Sequence, residues 1–90
     1  MGQRMVKRYE PLDCNGKPIF AGDSVVLVRA SEKLIAGLPD EDQKAIQAQV
    51  GNVLKVNEFD EYGHAEIEFV DTEGMMHTIW IEPSCLRKQE

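Results

Sequence analysis

The feature that most constrains this 90-residue chain is the pattern Asp-x-x-Gly, which occurs twice between Glu58 and Gly74. The copies Asp60-Glu61-Tyr62-Gly63 and Asp71-Thr72-Glu73-Gly74 begin eleven residues apart. In a three-residue hairpin loop, a type I turn is followed by a residue in the left-handed region, where Gly sits without strain. An Asp at the first position can accept hydrogen bonds from the backbone of its own turn. The repeats therefore predict two hairpin turns.

Segments of strand length with a period of two flank these turns. They are NVLKVNEF from Asn52, HAEIEFV from His64 and MHTIWIE from Met76. An earlier run from Ser24 to about Arg29 is rich in β-branched residues, which favours a largely buried strand. The pattern predicts a mainly β chain with a long first strand and a three-stranded meander.

The length of the second turn determines which side chains share a face, because a one-residue slip inverts the whole strand. If Thr72, Glu73 and Gly74 form the loop, one face is apolar and the other largely polar. The predicted pairs are Asp71 with Met75, Phe69 with His77, Ile67 with Ile79, Ala65 with Ile81, Glu68 with Thr78 and Glu66 with Trp80. A loop one residue longer would mix polar and apolar side chains, so we predict the shorter loop.

The first hairpin is less constrained by its sequence. Leu54 and Val56 should lie on the apolar face, but a strict three-residue loop would turn Lys55 inward. Either a bulge near Asn57 or a longer loop resolves this conflict, and both alternatives stay open.

The segment between the first strand and the meander is rich in helix formers. Ser31 predicts the cap of a short turn that stops at Gly37. Pro39 suits the first position of a helix, three acidic residues follow it, and Gly51 ends the element. We therefore expect one short helix inserted between strands.

Charge is unevenly distributed along the chain, which has a formal net charge of −6. Val56 to Leu86 holds eight acidic residues and no Lys or Arg, whereas Arg4, Lys7 and Arg8 lie near the N-terminus. We assign residues 1–13 to a flexible N-terminal segment. Nucleic-acid binding through the three basic residues is an alternative that the net negative charge disfavours.

Several features bear on cellular location. The start of the chain lacks the apolar region of a secretory signal, and the longest aliphatic run, Val25 to Val28, is too short to span a bilayer. Two cysteines do not form a disulfide framework. These features predict a reduced, cytoplasmic protein without a membrane partner.

Two groups of residues have metal-ligand character. His64, Glu66 and Glu68 alternate along one strand, but this spacing is typical of a solvent-facing strand surface. Cys14 and Cys85 with His77 form an alternative metal or thiol site, although no Cys-x-x-Cys pair anchors it. The repeats lack the ligand order of a calcium loop. We expect no catalytic residue, no resident metal and no cofactor.

Trp80 is the strongest candidate for binding a partner, because the predicted register places it on the polar face beside Glu66. Tyr62, Glu66 and Glu68 complete the predicted partner-binding residues. The competing interpretation is that the inserted helix or the N-terminal segment covers Trp80.

The order FAGDSVVLV, helical insertion, QVGNVLKV, AEIEFVD and HTIWIEPSCL resembles the SH3-like small barrels over Pro18 to Lys88. The resemblance implies one barrel domain, residues 14–90, of about five antiparallel strands. It also implies a helical turn at about Pro83 to Cys85 and a last strand at about Leu86 to Lys88. Gly51 to Val56 resembles KOW-type domains, which are generally basic. GDSVVLV and VGNVLKV resemble the β-subunit barrel of nitrile hydratases, but this chain lacks that enzyme's helical domain and metal-bearing subunit, so no activity is implied.

The sequence therefore favours a non-enzymatic, monomeric interaction or accessory module of a larger bacterial complex, with another protein as partner. The metal or thiol site and the KOW-like nucleic-acid-binding domain stay as alternatives.

Overall fold

The computed structural model of the protein describes residues 11–89. Five antiparallel strands form one sheet: β1 Ser24–Leu27, β2 Val53–Phe59, β3 Ala65–Val70, β4 Met76–Ile81 and β5 Leu86–Lys88. Their order is β4-β3-β2-β1-β5, which leaves β4 and β5 at the edges. The predicted antiparallel strands are confirmed, although β1 has four residues and ends at Leu27 instead of near Arg29. Within the described residues, the sheet is not closed by a ladder between its edges.

Two short helices, rather than the one expected, lie between β1 and β2. They are α1 Glu32–Ile35 and α2 Asp40–Gln47. The Ser31 hydroxyl accepts a hydrogen bond from the Leu34 N–H at 3.3 Å, as predicted for a cap. Gly37 then adopts a φ of 84°, so the backbone leaves the helical conformation there. Pro39 is extended and occupies the cap position of α2 instead of its first turn.

Within residues 11–89, no helix is both long and apolar enough to cross a membrane.

A 3₁₀ helix at Pro83–Cys85 joins β4 to β5. This helix and β5 both occur where the resemblance placed them.

The β3–β4 hairpin has the register predicted from its turn. Ile67 pairs with Ile79, Glu66 pairs with Trp80, and the other predicted strand pairs are also present. The Asp71 N–H donates to the Met75 carbonyl at 2.9 Å, which closes the three-residue loop. Gly74 has a φ of 84°, the left-handed conformation expected of it.

The β2–β3 hairpin combines a three-residue loop with a bulge. The Asp60 N–H donates to the His64 carbonyl at 3.0 Å, so residues 61–63 form the loop. Val56 pairs with Ile67, but the next pair is Glu58 with Glu66. The extra residue is Asn57, which decides the alternative left open by the sequence in favour of the bulge.

The core lies between the inward face of the sheet and the inserted helices. Every second residue of β3 is buried, and Ile46 is the buried residue of α2. Ile19, which precedes β1, is also 1% exposed. The core cluster consists of Ile19, Val25, Leu27, Ile46, Val56, Ala65, Ile67, Phe69, Ile79, Ile81, Cys85 and Leu86.

A third Asp-x-x-Gly turn lies at Asp13-Cys14-Asn15-Gly16, outside the two copies from which the hairpins were predicted. The Asp13 N–H donates to the Lys17 carbonyl at 2.8 Å, and Asp13 Oδ1 accepts from the Asn15 and Lys17 N–H groups, both at 2.8 Å. Asp60 and Asp71 accept the equivalent pairs of bonds in their own turns. The three turns therefore have the same carboxylate-capped geometry.

Residues at the boundary of the predicted N-terminal segment belong to the folded domain. Leu12 forms a bridge with Pro18, and the Ile19 N–H donates to the Pro11 carbonyl at 2.9 Å. The remainder of that segment, residues 1–10 with Arg4, Lys7 and Arg8, lies outside the described residues.

Candidate interaction face

A row of three side chains crosses the meander on the side that faces away from the core. Glu58 of β2 pairs with Glu66 of β3, and Glu66 pairs in turn with Trp80 of β4. Glu68 and Thr78 form the next pair along the hairpin, followed by Val70 and Met76. We call this surface the outer face, and it consists of Glu58, Glu66, Glu68, Val70, Met76, Thr78 and Trp80.

Trp80 is 41% exposed, so the inserted segment does not cover it completely. One side of it borders a groove of about 220 Å³ that is also lined by Leu34 of α1. At the rim of this groove, Lys33 Nζ lies 3.9 Å from Glu82 Oε2. The helix therefore flanks the indole and leaves part of it open to solvent.

The carboxylates of the outer face repel one another. Partial burial raises the pKa of Glu66, and the nearby negative charges of Glu58 and Glu68 raise it further. No Lys or Arg occurs from Val56 to Leu86, and the cross-strand neighbour of Glu66 in β2 is another carboxylate, Glu58. A cation placed beside Glu66 would relieve the repulsion.

Tyr62 lies in the loop of the first hairpin and is 66% exposed. Its ring centroid is 6.5 Å from that of His64, whose Nδ1 is 3.1 Å from Asp60 Oδ2. The structure thus brings Glu66, Glu68 and Trp80 together on one surface, with Tyr62 beyond the end of β3 at the hairpin loop.

His77 lies in a different place, a cleft of about 370 Å³ between α2 and the β3–β4 turn. Its Nε2 is 2.8 Å from Asp71 Oδ2, and its Nδ1 is 3.8 Å from Asp42 Oδ1. The ring also stacks on Phe69, with 5.0 Å between centroids and 12° between planes. Because a carboxylate faces each ring nitrogen, this geometry suits a structural clip between α2 and the hairpin better than a catalytic base.

The sequence contained a signal for the contact between Asp71 and His77 that we did not use. Asp71 pairs with Met75 in the ladder, so His77 is its diagonal neighbour on the same face. Diagonal pairs lie within reach of long side chains in an antiparallel hairpin.

The two cysteines occupy different environments. Cys85 is fully buried, and this burial raises the pKa of its thiol, whereas Cys14 is exposed. The Cys14 N–H donates to the Leu86 carbonyl at 2.8 Å, so the segment around Cys14 lies against the start of β5. His77 instead contacts Asp71 and Asp42, and residues 11–89 contain no group of three or more His, Cys, Asp or Glu side chains placed to hold a metal ion.

Compared with protein-family models, curated proteins and solved structures, the chain matches none of them.

Proposed function

We propose that this protein is a non-enzymatic interaction module that binds a basic segment of another protein through its outer face. The observation that carries the proposal is the row Glu58–Glu66–Trp80, which sets an exposed indole beside two repelling carboxylates. A Lys or Arg side chain fits both parts of this row. Its charge would offset the carboxylates, and its cation would be attracted to the face of the indole.

We further propose an SH3-like architecture for the domain, acting as a monomer in the cytoplasm as an accessory to a larger complex. The positions of the 3₁₀ helix and β5 support the architecture, because both occur where the resemblance to SH3-like barrels placed them. Two free thiols in the domain are consistent with a reducing compartment.

A peptide array tests the partner chemistry directly. Purified protein is applied to immobilised peptides that carry Lys or Arg at fixed positions, beside matched peptides with Glu or Gln at those positions. We expect selection of the basic peptides and binding that weakens as salt is added, because exposed charges are screened.

Matched variants locate the binding surface. Trp80→Ala should weaken binding about tenfold or more, as truncation of an aromatic anchor does. Glu66→Gln should weaken it as well, since it removes a carboxylate and keeps the shape of the side chain. Phe20→Ala is the control, because Phe20 is an exposed aromatic residue that contacts Lys88 instead of the outer face. Equal binding by wild type and the folded Trp80→Ala variant would contradict the proposal.

A further inference from the structure

The two edges of the sheet are finished differently. Along β5, the pairing with β1 turns the Leu86 carbonyl and the Lys88 N–H away from the sheet. Both groups have partners, because Leu86 accepts from the Cys14 N–H at 2.8 Å and Lys88 donates to Asp13 Oδ2 at 2.8 Å. The turn at Asp13-Cys14-Asn15-Gly16, which we call the N-terminal turn, therefore covers the β5 edge.

Among the residues that the structure describes, none covers the β4 edge in this way. Asp71 and Met75 form a hydrogen-bonded pair, and hydrogen-bonded and non-bonded pairs alternate along an antiparallel ladder. The N–H and C=O groups of Met76, Thr78 and Trp80 consequently point away from β3. Within residues 11–89, none of these backbone groups has a hydrogen-bond partner.

The sequence of β4 also lacks the features that usually protect an edge strand. Met76–Ile81 contains no Pro and no Lys, and its register with β3 runs without a bulge. Met76 is 63% exposed and shares the outer face with Thr78 and Trp80. An unprotected edge with alternate side chains exposed is a template for the addition of a strand.

We propose that the partner binds as an extended segment that pairs with β4 as a sixth strand and carries a Lys or Arg opposite Trp80. This proposal rests on the proposed function and specifies how the basic segment is held. The added strand would lie two strand spacings, about 10 Å, from Glu66 of β3. A Lys or Arg side chain can cover this distance by crossing the Trp80 indole with its charged end toward Glu66.

Charge complementarity selects this occupant over a second copy of the chain. Pairing β4 with its own copy would bring together two chains that each have a net charge of −6. It would also bring together two outer faces, each with Glu66 and Glu68, and so place negative charge beside negative charge. A basic segment avoids this repulsion.

Amide hydrogen exchange of the full ¹⁵N-labelled chain tests the proposal. The probe is the peptide acetyl-Thr-Lys-Val-Lys-Val-Lys-Thr-amide at concentrations up to about 1 mM, where even weak binding is detectable. We expect exchange at Met76, Thr78 and Trp80 to slow about tenfold or more at saturation. His77, Ile79 and Ile81 are already paired with β3, so their exchange should change much less.

Two N-methylated peptides examine the backbone pairing itself. In one peptide the odd-numbered backbone amides are methylated, and in the other the even-numbered ones. The lysine side chains are the same in both. Strand addition predicts that one frame binds and the other does not, because only alternate N–H groups face β4. Equal binding by both frames would overturn strand addition, even if Glu66→Gln still weakened binding as the proposed function requires.

Variants of Thr78 provide a second test. Thr78→Pro removes an outward N–H that has no partner within the described residues. An edge strand tolerates Pro at such a position. Thr78→Val keeps the backbone donor. We expect loss of peptide binding in Thr78→Pro and a much smaller change in Thr78→Val, because only the first variant lacks the backbone donor. The exchange pattern of β3 serves as the check on folding.

Two outcomes overturn the proposal outright. One is unchanged exchange at Met76, Thr78 and Trp80 at the highest peptide concentration. The other is protection of these amides that grows with protein concentration in the absence of peptide, because it would assign the edge to a second copy.

Discussion

The backbone N–H of Lys88 donates a hydrogen bond to Asp13 Oδ2 at 2.8 Å, across a separation of 75 residues. Asp13 is only 4% exposed, and its Oδ1 accepts from the Asn15 and Lys17 N–H groups. Burial by itself would raise the pKa of Asp13, but the hydrogen bonds from Lys88, Lys17 and Asn15 hold that pKa below its ordinary value. One carboxylate therefore shapes the N-terminal turn and fastens it to the last strand.

Replacement of Asp13 by Asn should destabilise the domain by about 1–3 kcal/mol, the typical cost of leaving a buried polar group unsatisfied. Asn can keep the acceptor at Oδ1, but an amide NH₂ in the place of Oδ2 would face the Lys88 N–H, also a donor. Urea unfolding at neutral pH measures the loss. The exchange rates of the Lys88 and Cys14 amide hydrogens should both increase in the variant.

The matched control is Asp60→Asn, in a turn with the same backbone hydrogen bonds. There the second oxygen faces the Nδ1 of His64, and an imidazole nitrogen can accept a hydrogen bond from the new amide. We expect a smaller loss of stability. Equal losses in the two variants would show that the contact with Lys88 has no special weight.

His77→Phe should make the free energy of unfolding depend less on pH in the acidic range. The hydrogen bond from His77, followed by the bond from the Met75 N–H, lowers the pKa of Asp71. Because the folded pKa lies below the unfolded value of about 3.9, Asp71 stabilises the fold above about pH 4. That stabilisation is lost as pH falls through the folded pKa. Phe keeps a ring that can stack on Phe69 but has no donor for Asp71, so part of this pH dependence should vanish.

Carboxyl ¹³C NMR measures the effect, as a rise in the pKa of Asp71 in the variant. His64→Phe is the comparison. Burial acts to raise the pKa of Asp60, but hydrogen bonds from the backbone N–H groups of His64 and Tyr62 lower it. The His64 ring lowers this pKa by less than those backbone bonds do. The pKa of Asp60 should therefore change less in His64→Phe. An unchanged pKa of Asp71 in His77→Phe would contradict the contact.

Cys14 and Cys85 should differ in reactivity by on the order of 10³-fold or more in a thiol-labelling experiment at pH 8. Cys14 is exposed, whereas Cys85 is fully buried and its burial raises the pKa of the thiol. A buried thiol reacts only when the surrounding structure opens. Cys14→Ser should remove the fast phase and Cys85→Ser the slow one. Rapid formation of an intramolecular disulfide would instead favour the thiol-site alternative.

The register of the meander was predictable because turn chemistry and side-chain alternation both constrain it. The loop at Thr72 to Gly74 permits one pairing that separates apolar from polar side chains, and the structure has that pairing. The predicted pairing correctly placed Trp80 beside Glu66 on the surface opposite the core. The bulge at Asn57 was foreseen only as one of two alternatives, because either one keeps Lys55 out of the core.

Features that depend on contacts between distant parts of the chain were not predictable in the same way. Nothing local to Asp13 shows that its second oxygen meets Lys88, although the Asp-x-x-Gly spacing itself was readable. The sequence predicts one helix in the inserted segment, because Gly37 and Pro39 both interrupt a helical pattern. The structure has a complete short helix on each side of them. The cleft at His77 depends on how α2 lies against the hairpin, which the local pattern does not specify.

Glu66→Gln should stabilise the free protein at neutral pH and have little effect at pH 3. Partial burial raises the pKa of Glu66, and the charges of Glu58 and Glu68 raise it further. For a carboxyl whose folded pKa exceeds its unfolded value, the favourable contribution exists below the unfolded pKa and is lost as pH rises through the folded one. Gln carries no charge, so the variant avoids this loss. Urea unfolding of wild type and variant at both pH values measures the difference.

Glu58→Gln provides the independent check, since it leaves Glu66 in place and removes its cross-strand charge. The pKa of Glu66, followed by carboxyl ¹³C NMR, should fall in this variant. A basic peptide bound at the outer face should lower the same pKa, because a cation favours the ionised carboxylate. Repulsion that destabilises the free protein would then become a source of affinity. A Glu66→Gln variant that is less stable than wild type at pH 7 would refute this account.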